Sequence, residues 1–219
     1  MKKPDQSTKP SNRAERLREA SKQRRTQEKQ EVHQAILQAS TELFLEVGYE
    51  HFSLRQVAER IGYSPGTIYL YFQDKDDVLF AIMNDGITRF SHVLGEAASV
   101  SDPRERLMRM GRAYVEFGRT NSVYFKLMFM QRADYFLRSD TAIPEPLVAI
   151  FTLWRTAVED AMKVGLLRMG DPVSTGDALM ALLHGVVFFA ILMPKFNEKR
   201  TNDMIETALE MMSKGLHRL

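Results

Sequence analysis

The sequence predicts an all-α fold. Apolar residues recur in steps of three and four along most of the 219-residue chain. No stretch shows the alternation, bounded by hairpin turns, that a strand requires. From Arg13 to Val47 there is neither Gly nor Pro, and Ala, Leu, Glu, Gln, Lys and Arg dominate. No internal repeat appears at a solenoid period.

The elements follow in order. Residues 1–12 hold two prolines among polar neighbours and are expected to be disordered. Helix is permitted from Arg13, but an apolar stripe starts only at Val32 and continues through Ile36, Ala39, Leu43, Phe44 and Val47, with Gly48 as a left-handed stop. Ser53 with Gln56 makes a capping box for a second helix, whose buried face is Leu54, Val57, Ala58 and Ile61 and whose stop is Gly62. Ser64 and Pro65 open a third, short helix. A fourth begins near Lys75, with Val78, Leu79, Ile82 and Met83 as its stripe. Further helices are expected from Pro103 to about Thr120, Ser122 to Met130, Pro144 to Val164 before Gly165, Asp177 to Met193 before Pro194, and Thr201 to Leu219.

Composition narrows the function. At 44% hydrophobic and 26% charged residues, the chain can build a sizeable core. Without cysteine, disulfides, thiolate metal sites and thiol nucleophiles are excluded, which suits a reducing cytoplasm. The opening "MKKPDQSTKP" has no apolar stretch behind its charges and is not expected to be a secretory signal. The apolar segment Ala178–Met193 covers 16 residues, short of the roughly 20 a spanning helix needs. With His184 midway, it reads as a core or subunit-interface helix. Residues 1–30 carry ten Lys/Arg against four Asp/Glu, a net +6 that leaves −4 for the rest of a +2 chain. A basic arm on a mildly acidic body fits a polyanion partner; it also fits a solvated tail.

The stretch "SPGTIYLYF", Ser64 to Phe72, is the informative one. On a helical wheel Ile68 and Phe72 lie one turn apart and can anchor the segment. Thr67 and Tyr71 lie one turn apart on another side, near Ser64, while Tyr69 sits at the border with its hydroxyl reaching outward. Gly66 leaves room for a phosphate near the free N–H groups. Helix, glycine-containing turn and a second helix displaying polar groups is the helix-turn-helix layout, in which the second helix enters the DNA major groove. An ordinary capped helix within a bundle would share the local features.

The wider pattern separates these readings. The segment "ILQASTELFLEVGYEHFSLRQVAERIGYSPGTIYLYFQDKDDVL", Ile36 to Leu79, closely resembles the N-terminal domain of the TetR family of bacterial transcriptional regulators. The resemblance includes Gly48-Tyr49, a Ser53-led second helix, Ala58, Gly62, the run Gly66-Thr67-Ile68-Tyr69 with Tyr71, Phe72 and Lys75, and Leu79. It implies phosphate contacts at the positions of Ser53, Tyr69 and Lys75, and base-edge contacts at those of Arg55, Thr67 and Tyr71. Pro65 and Gly66 occupy helix-start positions that vary in the family. Arg can pair with guanine O6 and N7, and Thr can pack its methyl on that of thymine; Leu70 can add an apolar contact. The candidate DNA-binding set is therefore Ser53, Leu54, Arg55, Ser64, Pro65, Gly66, Thr67, Tyr69, Leu70, Tyr71 and Lys75. Ser64 to Gln73 carries no charge, so affinity must come from Arg55, Arg60, Lys75, helix N-termini and the basic arm, along the backbone or in the minor groove.

The resemblance implies a division into a basic arm over 1–28 (disordered or a helical extension), a helix-turn-helix domain over 29–76, and an effector-binding and dimerisation domain over 77–219. "AYVEFGRTNSVYFKLMFM" and "ALLHGVVFFAILM" are reminiscent of one subgroup of C-terminal domains, with Trp154 and the pair His184–Gly185. Abundant Met and Phe suit an apolar pocket for hydrophobic or aromatic molecules, and also plain core packing. Phe117, Phe125, Met128, Trp154 and His184 are the candidate lining. The last two helices are the expected homodimer interface, through Leu179, Leu182, Val186, Phe189 and Leu192–Met193, then Ile205, Leu209, Met212 and Leu216.

The expected function is a ligand-responsive repressor released from a palindromic operator by a small hydrophobic or aromatic effector. An architectural DNA-binding protein of the same fold, without an effector, is the alternative. An enzyme is not expected: no P-loop, G-x-S-x-G, G-x-G-x-x-G or H-E-x-x-H occurs, and His33, His51, His92, His184 and His217 show no metal-ligand spacing. No cofactor or metal is expected.

Overall fold

The computed structural model describes residues 11–127, 129, 143–193 and 198–214. All regular elements among them are helical, and the chain divides into two compact units, Met1–Val78 and Leu79–Leu219.

In the first unit, α1 spans Ser11–His51, interrupted where Gly48 adopts φ 73°, ψ 170°. Residues 1–10 lie outside the described residues, while Ser11 and Asn12, expected to be disordered, are helical. Residues 15–31 are exposed throughout and burial starts at Val32, where the apolar stripe begins. After α2 (Leu54–Ile61), Gly62 takes the left-handed conformation and returns its N–H to Ala58 and Glu59 carbonyls. The Ser53 Oγ caps α2 by accepting the Gln56 N–H at 3.4 Å and donates to Gln56 Oε1 at 2.9 Å. Leu54, Val57 and Ala58 are buried as expected; Ile61 is only half-buried. The short α3 (Pro65–Tyr69) follows, and α4 (Lys75–Ala98) crosses into the second unit.

The second unit continues with α5 (Pro103–Thr120), α6 (Ser122–Lys126), α7 (Glu145–Lys163), α8 (Pro172–Leu192) and α9 (Glu198–Lys214). Two helices start earlier than their apolar stripes suggest. In α8, the Asp171 carboxylate accepts the Ser174 N–H at 2.8 Å, and Pro172 fills the first turn. α9 begins at Glu198, not Thr201. The helix expected to reach Met130 is α-helical to Lys126 and π-helical at Leu127 and Phe129, while Met128, Met130 and residues 215–219 lie outside the described ones.

At 21 residues, α8 is long and apolar enough to cross a membrane by length and composition, so the argument from a 16-residue segment does not hold. It packs instead against α5, α7 and α9. That packing corrects the expected subunit stripe. Leu179, Val186, Ile205, Leu209 and Met212 are buried within their own unit, because the faces they mark close onto α5 and α7 or onto each other. Leu216 falls outside the described residues. The large apolar side chains exposed on α8 are Val173, Phe188, Phe189 and Leu192, followed by Met193 just past its end, with Met211 on α9.

Candidate nucleic-acid interface

The interface is built on α3. Ser64 caps it, its Oγ accepting the Thr67 N–H at 3.1 Å and sharing a 2.9 Å hydrogen bond with the Thr67 hydroxyl. Ile68 is fully buried and Phe72 nearly so, so the short helix is pinned along one edge. The chain beyond Tyr69 stays hydrogen-bonded, with the Tyr71 and Phe72 N–H groups reaching the Ile68 carbonyl at 2.9 and 3.1 Å. The opposite surface presents Ser64, Pro65, Gly66, Tyr69 and Leu70. Leu70 is 83% exposed, a large apolar side chain left in water at the tip of a rigid element.

Around this core the candidates divide. The Arg55 side chain is 82% exposed and held only loosely by Glu59 at 3.6 Å, free to reach outward. Lys75 stands over the Tyr49 ring at 4.1 Å, while the Tyr49 hydroxyl donates to Asp76 at 2.6 Å; the ammonium is thus held at the start of α4. Tyr71 and Thr67 are half-buried, Tyr71 with its ring 6.4 Å from that of His33. Ser53 is half-buried and occupied as a cap.

Three expectations change. The Leu54 side chain is 4% exposed and belongs to the core, where the first-turn position of α2 turns inward, so that side chain is not presented to DNA. Arg60 is not a free cation: its guanidinium grips Glu46 through two bonds of 2.8 and 2.6 Å, tying α2 to α1. The α3 N-terminus offers less to a phosphate than expected, because Ser64 already takes the Thr67 N–H and the helix is only five residues long. His33 was missed. Its ring lies 5.0 Å from Phe72, placing it at the edge of the recognition element, and its position on the stripe one turn before Ile36 was the available signal.

In the second unit, Phe117, Phe125, Trp154 and His184 share one aromatic cluster. Tyr114 is its centre, with Phe90 edge-on at 5.1 Å, Trp154 tilted at 6.3 Å and a hydrogen bond to His184 Nδ1. His184 packs on Phe125 at 5.0 Å and Phe129 at 4.3 Å; Phe117 lies against Phe90 at 4.8 Å. Met128 lies outside the described residues. Trp154 also donates its indole N–H to the Gly176 carbonyl at 3.0 Å and forms a wall of an apolar cleft of about 370 Å³ between α7 and α8, with Val148, Phe151, Val173 and Met180. Within the cluster Phe117, Phe125 and Trp154 are buried, while His184 and Phe129 are half-buried.

Burial pushes the Tyr114 phenol above its ordinary value and holds the His184 imidazole below its ordinary 6.5. Both are neutral near pH 7, and the imidazole tautomer sets the direction of the hydrogen bond between them. As the folded imidazole binds protons less readily than the unfolded one, its stabilising contribution is complete above 6.5. It is lost as pH falls through that value toward the lowered one. His184→Gln should therefore flatten the decline of thermal stability on acidification below 6.5. An identical pH profile in both proteins would remove His184 from that role.

A short helix pinned by one edge behind a capped turn, with hydroxyls, an aromatic edge and a bare leucine facing outward, defines a helix-turn-helix DNA-binding protein. Comparison with known proteins agrees. Residues 36–82 match the model described as bacterial regulatory proteins, tetR family, and residues 107–212 match a tetracyclin repressor-like C-terminal domain. The chain belongs to the TetR family of bacterial transcriptional regulators. It is 25% identical over 155 residues to the uncharacterized HTH-type transcriptional regulator YhgD of Bacillus subtilis, covering 70% of this chain and 81% of that one. The regulator HbdR of an Aromatoleum strain is 34% identical over 86 residues, 39% of this chain and only 38% of HbdR. Among solved structures, FadR of Bacillus subtilis in complex with stearoyl-CoA superposes with a TM-score of 0.67 at 19% identity, over 84% of this chain and 99% of that one.

Proposed function

We propose that the protein is a homodimeric, ligand-responsive repressor that leaves a two-fold operator when an apolar effector binds its second unit. The observation that carries this reading is the presentation of α3: Ile68 and Phe72 bury one edge, and Thr67, Tyr69, Leu70 and Tyr71 are left where base edges and phosphates can be met. A two-fold dimer would set two such helices about 34–36 Å apart, one turn of duplex. The outward apolar side chains of α8 and Met211 of α9 support self-association, since exposed large apolar side chains gain by covering one another. The aromatic cluster and the cleft beside Trp154 supply apolar walls, and the stearoyl-CoA held by a fold neighbour makes acyl-CoA a first probe.

Genome-wide recovery of bound fragments should return an inverted repeat beside a few promoters. A panel of acyl-CoAs and aromatic acids should then contain a compound that both raises the melting temperature and weakens binding to that repeat, the two effects being linked. Fragments scattered without a shared motif would favour the architectural alternative. Ligands that stabilise without altering operator affinity would sink the switch.

A further inference from the structure

The exposed start of α1 carries a cationic stripe in phase with the buried face of the same helix. At about 100° per residue, Arg18, Lys22, Arg25 and Lys29 fall within an arc of about 60° over a rise of about 16 Å. Continuing the same line brings Ile36, Ser40 and Leu43, all buried against the first unit. His33, one turn beyond Lys29, packs on Tyr71 and Phe72 beside the recognition helix. The stripe thus extends the face that seats α3, past the point where any described protein covers it. Glu19 and Glu28 lie off the arc, as do Arg16 and Arg24 on the far side. None of the four stripe cations forms an ion pair among the described residues, and all are exposed.

From this we infer that the stripe is a rigid rail for the phosphate backbone flanking the operator half-site. The occupant follows from charge complementarity and from continuity with the DNA-facing element. A rise of about 16 Å along the duplex axis spans about five phosphates of one strand, enough acceptors for four cations that have no ion pair among the described residues. A helix whose base-reading segment is uncharged needs such a contact for affinity. Because the rail is helical and straight, it follows backbone and adds no base readout. The inference rests on the operator-binding reading above, and the test separates the two.

Two full-length variants remove the same charge: Arg25→Gln/Lys29→Gln on the stripe and Arg16→Gln/Arg24→Gln off it. Glutamine keeps helix propensity, and circular dichroism checks that α1 persists. Operator affinity is measured against salt for each, alongside a scrambled duplex. The stripe pair should flatten the slope of log K against log salt by about 0.9 per lost contact, twice per subunit. Binding to operator and scrambled DNA should weaken alike, so selectivity is preserved. The off-stripe pair should stay close to the unaltered protein. A third variant, with two alanines inserted after Gln30, keeps every charge but turns the stripe by about 200°, and should behave like the stripe pair. Equal slopes for the two pairs, or an insertion without effect, would overturn the rail. If the unaltered protein failed to prefer its operator over the scrambled duplex, the operator reading would be the one at fault.

Discussion

Ile68→Ala should weaken operator binding by up to about 30-fold while leaving the second unit folded. Ile68 is completely buried, in a helix of five residues that has one other anchor, Phe72, and one cap, Ser64. Truncating a buried isoleucine costs about 2–5 kcal/mol. A unit of this size holds only a few kcal/mol of net stability, about 3–5 in the usual case. The upper end of the loss exceeds the lower end of that stability, and apparent affinity falls in proportion to the competent fraction. A loss of about 5 kcal/mol against a stability of about 3 leaves roughly one molecule in thirty with a seated α3, a fall of about 30-fold. The single tryptophan, Trp154, lies in the other unit and reports on it alone. Its emission should be unchanged while anisotropy with labelled operator shows the loss. Native affinity in the variant would mean that α3 is held by something other than this anchor.

The second large effect is expected at Gly118, where α5 packs directly on Val187 of α8. A Cβ built there would lie 2.9 Å from Val187 Cγ2 and nearer still to Cγ1. Valine in a helix has essentially one χ1 rotamer and cannot swing aside, and it is itself fully buried. Overpacking of this kind costs about 1–3 kcal/mol. Against it stands the better helix propensity of alanine, worth up to about 1 kcal/mol. The clash wins, and Gly118→Ala should lower the melting temperature by about 2–8 °C. Val187→Ala opens the space, so adding Gly118→Ala to that background should be neutral or stabilising, a non-additivity characteristic of contact. If Gly118→Ala stabilised the unaltered protein, the close approach would be wrong.

Much of the recognition element was legible in the sequence because its determinants are local. Ser53, Gly62, Ser64 and Pro65 act on backbone groups two to four residues away, so caps and stops can be read without knowing the fold. The anchoring of α3 by Ile68 and Phe72 was legible for the same reason, from one turn of spacing. Leu54 and Arg60 were not: whether a first-turn leucine turns in, and whether an arginine finds Glu46, depends on how α2 crosses α1. The starts of α8 and α9 were hidden because polar first turns resemble loops until their caps are seen. Phe117, Phe125, Trp154 and His184 of the expected effector lining come together as a cluster, but periodicity cannot distinguish an aromatic core from a cavity wall.

What the sequence determined by itself is a succession of helices with their ends, an anchored and uncharged α3, and a charge excess at one terminus. Only the tertiary structure decided which apolar faces of α8 and α9 are consumed inside one copy, and that the cations of α1 line up with its buried side. The physical reason is range. A helix end or a turn is settled by hydrogen bonds within four residues, whereas the covering of a face is settled by whichever distant segment reaches it first.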